Sequence, residues 1–287
     1  IEITFPSSSM ANQWYQTLSD ATYTSMDDFS IISVLGRGST SKVMLVRRIA
    51  DNMLFAIKSV RKSNLTTESE IEAIRLERYV LEKFHFPYIV KLHFAFQTST
   101  KFYIGLDFVP GGELFHHLGR IGRFEIDAVR VFIAEIASAL DYIHKTGYVY
   151  RDLKAENILL DSEGHVVLTD FGLVFKIGEH PTEMLGTYEY FSPELLEHKP
   201  IGPEIDWWSL GILTVELLTG VTPFHHPNNG RVVHSILWDS PNLSGIVDPD
   251  AKNFVESLLV KDPSKRSGFE DIMHHPFFKD IDWNEVY

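Results

Sequence analysis

The stretch Tyr150-Arg151-Asp152-Leu153-Lys154-Ala155-Glu156-Asn157 sets a carboxylate, a lysine two residues on and a carboxamide five residues on within an apolar neighbourhood. A second carboxylate stands at Asp170, inside Asp170-Phe171-Gly172. This set suits the transfer of a phosphoryl group. Asp152 can orient a hydroxyl and accept its proton. Lys154 can screen the charge on the group in flight, and Asn157 and Asp170 offer hard oxygen donors of the kind magnesium takes.

Two further motifs are weaker alone. Gly36-Arg37-Gly38-Ser39-Thr40-Ser41-Lys42-Val43 could fold closely over phosphates, but a Gly-x-Gly turn between strands is more often only a tight turn. No Gly-Lys-Ser/Thr closes it, so it is not a Walker loop, and a strand rather than a helix follows, so it is not a dinucleotide fingerprint. Lys58, in Ala56-Ile57-Lys58, ends an apolar run, and Glu77 lies in the helix-like segment beyond it. Each could be a plain surface charge; as a buried pair they could hold a cation against phosphate oxygens.

The elements that must position these residues follow from periodicity. Period-two runs predict strands at Phe29–Leu35, Lys42–Arg48, Leu54–Val60, Ile89–Gln97 and Phe102–Phe108. Helical spacing covers about 69–84, and Pro110-Gly111-Gly112 then breaks the chain. Beyond it, Val129, Phe132, Ile133, Ile136, Leu140 and Ile143 recur at helical spacing until Gly147. Short strands Asn157–Leu160 and Val166–Thr169 flank a turn, and Glu204–Thr219 reads as a buried helix stopped by Gly220. No internal repeat is present. A small β-rich lobe with one helix is thus expected before a larger helical lobe, hinged near Asp107–Gly112. Residues 1–28 show no period and are expected to be an extension without a catalytic role.

Composition narrows the function classes. In 287 residues, 26 Lys+Arg against 39 Asp+Glu give a net charge of −13, which disfavours broad binding to nucleic-acid backbones. With no cysteine there is no disulfide framework, thiolate-held zinc or thiol nucleophile. No apolar run is long enough to span a membrane, and no basic-then-apolar leader opens the chain, so neither a membrane span nor a signal peptide is expected.

In this order, Gly36-x-Gly38, Lys58, Glu77, Tyr150-Arg151-Asp152, Asp170-Phe171-Gly172, Ser192-Pro193-Glu194, Asp206 and Arg266 resemble the motifs of eukaryotic protein kinases. Lys154 and Gly186-Thr187 resemble the serine/threonine class. Tyr150, Gly111-Gly112-Glu113 and Asp206-Trp207-Trp208-Ser209-Leu210-Gly211 resemble the AGC group. The texture of Phe94-Ala95-Phe96-Gln97-Thr98 and Gly164-His165-Val166-Val167-Leu168-Thr169-Asp170 is similar to the N-terminal kinase domain of mitogen- and stress-activated and ribosomal-protein kinases.

The resemblance implies an α+β, two-lobed protein-kinase fold: a small antiparallel-sheet lobe over 29–109 and a mainly helical lobe over 110–287, with 29–278 as one domain. It implies ATP and Mg2+ as cofactors. Leu35, Gly36, Gly38, Val43, Ala56, Leu106, Asp107, Val109 and Leu159 would surround the nucleotide, and Lys58, held by Glu77, would grip its phosphates. Glu113 would meet the ribose or a substrate arginine. Asp152 would be the catalytic base, with Lys154 and Thr187 completing its site, and Asn157 and Asp170 would hold the metal. Leu81, Leu92, Tyr150 and Phe171 would form an apolar column. Glu113, Glu156 and Glu216 would select Arg or Lys upstream of the target Ser or Thr, and Met184, Tyr188 and Phe191 would line the pocket for the residue after it. The implied chain is a monomeric signalling enzyme of cytoplasm or nucleus, acting on basic protein substrates, with no nucleic-acid or membrane partner. Its implied regulators are an upstream kinase and a hydrophobic motif, which family members carry in a tail beyond the position of Tyr287; either that tail was trimmed from this sequence or a partner supplies the motif in trans. A pseudokinase scaffold is the alternative, but such chains usually lose one of Lys58, Glu77, Asp152, Asn157 or Asp170.

Three positions depart from the family pattern. Ser41 replaces the third glycine of the loop, and Ser192 replaces alanine. Glu183 occupies the usual phosphoacceptor position, with Thr182 beside it. The expectation is that the Glu183 carboxylate pairs with Arg151 and partly stands in for a phosphate.

Overall fold

The computed structural model describes residues 24–38, 41–179, 181 and 183–286. Thr182 and most of the 1–28 extension lie outside the described residues. The chain divides into two units. One comprises the described residues up to Thr66 together with Leu92–Phe108, and the other comprises Thr67–Lys91 with the chain from Val109 onward.

The first unit is an antiparallel sheet of five strands: β1 (Phe29–Arg37), β2 (Ser41–Arg48), β3 (Leu54–Arg61), β4 (Leu92–Gln97) and β5 (Lys101–Asp107), in the order β1-β2-β3-β5-β4. Alternation decides which side is core. Met44 and Val46 from β2, Phe55 and Ile57 from β3 and Tyr103 from β5 are buried on one face, with Phe29 among them and Phe94 and Phe96 packed alongside. The approach is closest at Gly105, where a Cβ would lie 2.1 Å from the Phe94 ring. The strand expected from Ile89 begins only at Leu92. Val90 N–H instead donates to Leu168 O at 2.9 Å, and Ile89 bridges Leu168, so these residues pair in the second unit.

The second unit is mainly helical. Helix α1 (Glu68–Lys83) starts at a reciprocal cap between Thr67 and Glu70. Past its end, Phe84 packs on Tyr142, Tyr148 and Phe171, which ties the segment to this unit. Helices α2 (Leu114–Ile121) and α3 (Ile126–Lys145) follow, and all six apolar residues predicted for the face of α3 are buried. Strand β6 (Tyr148–Val149) pairs β9 (Phe175–Lys176), and β7 (Ile158–Leu160) pairs β8 (Val166–Leu168) as a hairpin. Asn157 belongs to a single 3-10 turn before β7 rather than to the strand.

After α4 (Pro193–Leu196), helix α5 (Glu204–Thr219) is buried along almost its whole length. It stops at Gly220, whose φ of 84° and approach to Gly122 O admit no side chain. Helices α6 (Asn229–Trp238), α7 (Pro249–Leu258), α8 (Phe269–Met273) and α9 (Trp283–Val286) complete the unit. Arg266 forms a two-pronged pair with Glu194 at 2.6 and 3.0 Å and lies over Trp208, all out of solvent. Among the described residues no helix is long and apolar enough to cross a membrane. The α+β class and the five-stranded antiparallel sheet agree with the sequence expectation.

Candidate active site

The loop at 150–157 is held by one carboxylate. Asp206, in the first turn of α5, is fully buried and accepts from Tyr150 N–H at 2.9 Å and Arg151 N–H at 2.7 Å. His144 Nε2 lies 2.7 Å from the same carboxylate. Fixed this way, Arg151 takes a φ of 71°, a sparsely populated conformation that persists because its surroundings determine it.

Asp152 follows. Lys154 Nζ donates to both its oxygens at 3.0 and 2.9 Å, and Asn157 Nδ2 donates to its side chain at 2.7 Å and its carbonyl at 2.8 Å. Burial pushes the Asp152 carboxyl above its usual range, and the Lys154 charge and the bonds from Lys154 and Asn157 oppose that push. A carboxylate with this balance suits a proton acceptor. Gly186 shows how closely the chain at 183–187, the candidate activation segment, approaches: a Cβ there would lie 3.6 Å from Asp152 Oδ1 and 3.0 Å from the Phe191 ring. Thr187 lines the same small cavity as Arg151, Asp152 and Ser192.

The hairpin β7–β8 joins the two magnesium candidates. Thr169 N–H donates to Asn157 O at 3.0 Å. Asp170 has a φ of 57°, and its Oδ1 accepts from Gly172 N–H at 3.3 Å. Phe171 is fully buried against Tyr150 and Phe84. The donor set fits magnesium: with Nδ2 engaged by Asp152, Asn157 keeps its amide oxygen as acceptor, and Asp170 adds a carboxylate. Glu113, at the start of α2, bridges Leu159, and Gly111 N–H donates to Leu160 O at 2.9 Å, so Glu113 and Leu159 share one corner of this unit.

In the first unit, Val43 pairs Lys58 and Ala56 pairs Leu106 across the strands. Alternation sets these four on the sheet face opposite Phe55 and Ile57. Asp107 ends β5 with His93 Nε2 at 2.5 Å, and Gly36 faces Val43 at the mouth of the β1–β2 turn, next to Leu35. Gly38 N–H closes that turn on Ser41 O at 3.0 Å. Glu77 belongs to the other unit and is 2% exposed.

The acidic residues gather around Tyr190. Its hydroxyl donates to Glu216, whose carboxyl is pushed up to about 7, chiefly by burial and further by the charges of Glu156 and Glu189. Glu189, which sequence reasoning missed, accepts from Thr222 Oγ1 and lies 2.8 Å from His225 Nδ1. Glu113 is paired with His116 at 3.1 Å instead. The expected Arg151–Glu183 contact takes a different form. The Arg151 guanidinium donates to the main-chain carbonyl of Glu183, and the Glu183 carboxylate acts on it only as a neighbouring charge.

These features define the class. The protein kinase domain family matches residues 29–278, and the chain belongs to it. Its relatives include Protein kinase 2 of Dictyostelium discoideum, 44% identical over 91% of this chain and 55% of its own length. Serine/threonine-protein kinase Sgk1 of Gallus gallus is 43% identical over 90% of this chain and 62% of its own length. Serine/threonine-protein kinase YPK1 of Saccharomyces cerevisiae is 41% identical over 91% of this chain and 39% of its own length. Within the family the chain groups with the AGC serine/threonine kinases, and it spans about 39 to 62% of the length of these relatives.

Proposed function

We propose that the chain transfers the γ-phosphoryl group of ATP to Ser or Thr hydroxyls of proteins with Arg or Lys upstream of the target. The observation that carries this reading is the buried Asp152 with Lys154 and Asn157 bonded to it, joined by one short hairpin to Asp170. Asp152 orients the substrate hydroxyl and takes its proton as the oxygen bonds to phosphorus and the bond from phosphorus to the β-phosphate oxygen breaks, leaving ADP. Lys154 and Thr187 hold the transferring group and the attacking hydroxyl. Asn157 and Asp170 would hold magnesium, which when bound draws charge from the phosphate oxygens.

On the nucleotide side, Lys58 with Glu77 as its partner grips the α- and β-phosphates, and Leu35, Gly36, Gly38, Val43, Ala56, Leu106, Asp107, Val109, Glu113 and Leu159 receive the rest. Glu156 and Glu216 receive one substrate arginine and Glu113 another, supported by the acidic cluster at Tyr190. We read 29–109 and 110–287 as the two lobes of a monomeric domain, acting in cytoplasm or nucleus where ATP is available. Arg151, bonded to Glu183 O, orders the activation segment, and an upstream kinase at Thr182 or a hydrophobic-motif partner in trans raises activity further.

The test is phosphate incorporation from Mg-ATP into a basic Ser/Thr peptide. Wild type should turn over, and Asp152→Asn should lose on the order of 100-fold or more in kcat. Equal incorporation by the two would exclude Asp152 as the base.

A further inference from the structure

Glu135 lies in the middle of α3, an expensive place for a carboxylate, and its side chain is 2% exposed. Both its oxygens are engaged by one hairpin. Oε2 accepts from Val166 N–H, the first residue of β8, at 2.9 Å, and Oε1 lies 2.5 Å from His165 Nδ1. The hairpin is the piece of chain between Asn157 and Asp170. Its turn is closed by Asp161, which accepts from His165 and Glu163 N–H, and its far strand is held by Leu168 N–H donating to Tyr88 O at 2.8 Å. Glu135 is thus the side chain that ties the outer end of the hairpin to the helical core.

From this geometry we propose that Glu135, acting through His165 and Val166, is a positioning residue that sets the spacing of Asn157 and Asp170 and so the affinity for magnesium. The inference rests on the function proposed above. Outer partners of metal ligands act in this way, by restricting where the donor atoms can lie.

The clamp has a pH dependence of known sign. The groups facing it are His165, Asp161, Glu163 and Tyr88. The bond to Glu135 holds the His165 imidazole above its ordinary value, and burial pushes the Glu135 carboxyl up. The His165–Glu135 ion pair is therefore complete above the raised carboxyl value and below the raised imidazole value. As pH rises through the imidazole value, His165 loses its charge, and the buried carboxylate keeps the Val166 N–H and at most a weaker, neutral Nδ1–H bond.

The experiment uses the full chain as wild type, Glu135→Gln, Glu135→Ala and His165→Gln. Magnesium is titrated at fixed ATP and peptide between pH 6 and 8.5, and the rise in Tm given by MgADP is measured in parallel. Glu135→Ala should raise the half-saturating magnesium concentration roughly 3- to 10-fold. Glu135→Gln, which can still accept from Val166, should recover most of this. His165→Gln should flatten the rise in half-saturating magnesium that wild type shows as pH increases. A lowered Tm with unchanged magnesium dependence in both Glu135 variants would overturn the proposal, as would a wild-type pH profile in His165→Gln. If Glu135→Ala does not fold, the surface variant His165→Gln decides. If wild type does not phosphorylate peptide but gains Tm with MgADP, the proposed function fails, and the magnesium dependence of that gain still tests the clamp. No gain in wild type at any magnesium concentration would overturn both.

Discussion

The guanidinium of Arg151 is bonded to the main-chain carbonyl of Glu183, an acceptor that no side-chain substitution removes. The activation segment is therefore anchored by a neutral group. The nearby carboxylate adds charge at longer range, and burial of the guanidinium lowers its pKa against that help.

It follows that Glu183→Ala should keep most of the peptide-kinase activity of the unphosphorylated chain, within about 3-fold, the effect of a distant and partly screened charge. Arg151→Met should lose on the order of 10-fold or more, because the donor that fixes the segment at Glu183 O goes and the segment is no longer held in place. Steady-state kinetics on protein checked for absence of phosphate would decide, and a collapse in Glu183→Ala would return the anchor to the side chain.

Recognition of basic substrates should weaken in acid. Glu216 has its carboxyl raised to about 7, so its charge is present above that value and lost below it. KM for a peptide with Arg upstream of the target should rise as pH falls from 8 to 6, and Glu216→Gln should abolish the change. Tyr190 donates to this carboxylate and favours its charged form, so Tyr190→Phe should move the midpoint upward. A midpoint that stays in place in Tyr190→Phe would refute the coupling.

Removing Arg266 strands Glu194 in a dry interior and leaves Val260 O and Glu204 O without their donor. Arg266→Ala should cost about 3 to 5 kcal/mol, seen as a large fall in Tm. Replacing both partners by apolar residues of similar size should cost less than the single change, and a smaller loss in the single variant would contradict this.

Gly105→Ala should destabilise the first unit by about 1 to 3 kcal/mol, since the new methyl must displace Phe94 from its stack on Phe29. Adding Phe94→Leu to the same chain should recover part of the loss, read by thermal melts of both variants.

Much of the site was legible because its residues are close in sequence. Asp152, Lys154 and Asn157 lie within one turn of chain, and a single hairpin carries Asp170 back to them. Contacts made across long stretches of chain left no local sign. Glu189 reads as a loop charge until Thr222 and His225 are beside it, and Glu135 as a surface position until Val166 and His165 are. Ile89 and Val90 misled for a related reason: an apolar run suits any strand, and theirs is completed by Leu168 rather than by the five-stranded sheet. The Arg151 contact was foreseen as a pair of residues but not as a pair of atoms, because a sequence displays its carboxylates and hides its carbonyls.

Every amino acid carries the carbonyl that Arg151 holds at Glu183. Position 183 can thus drift during evolution without detaching the segment. A phosphoacceptor could appear or vanish there by a single codon change, so that control by another kinase is layered onto this domain, or shed from it, while its framework stays intact.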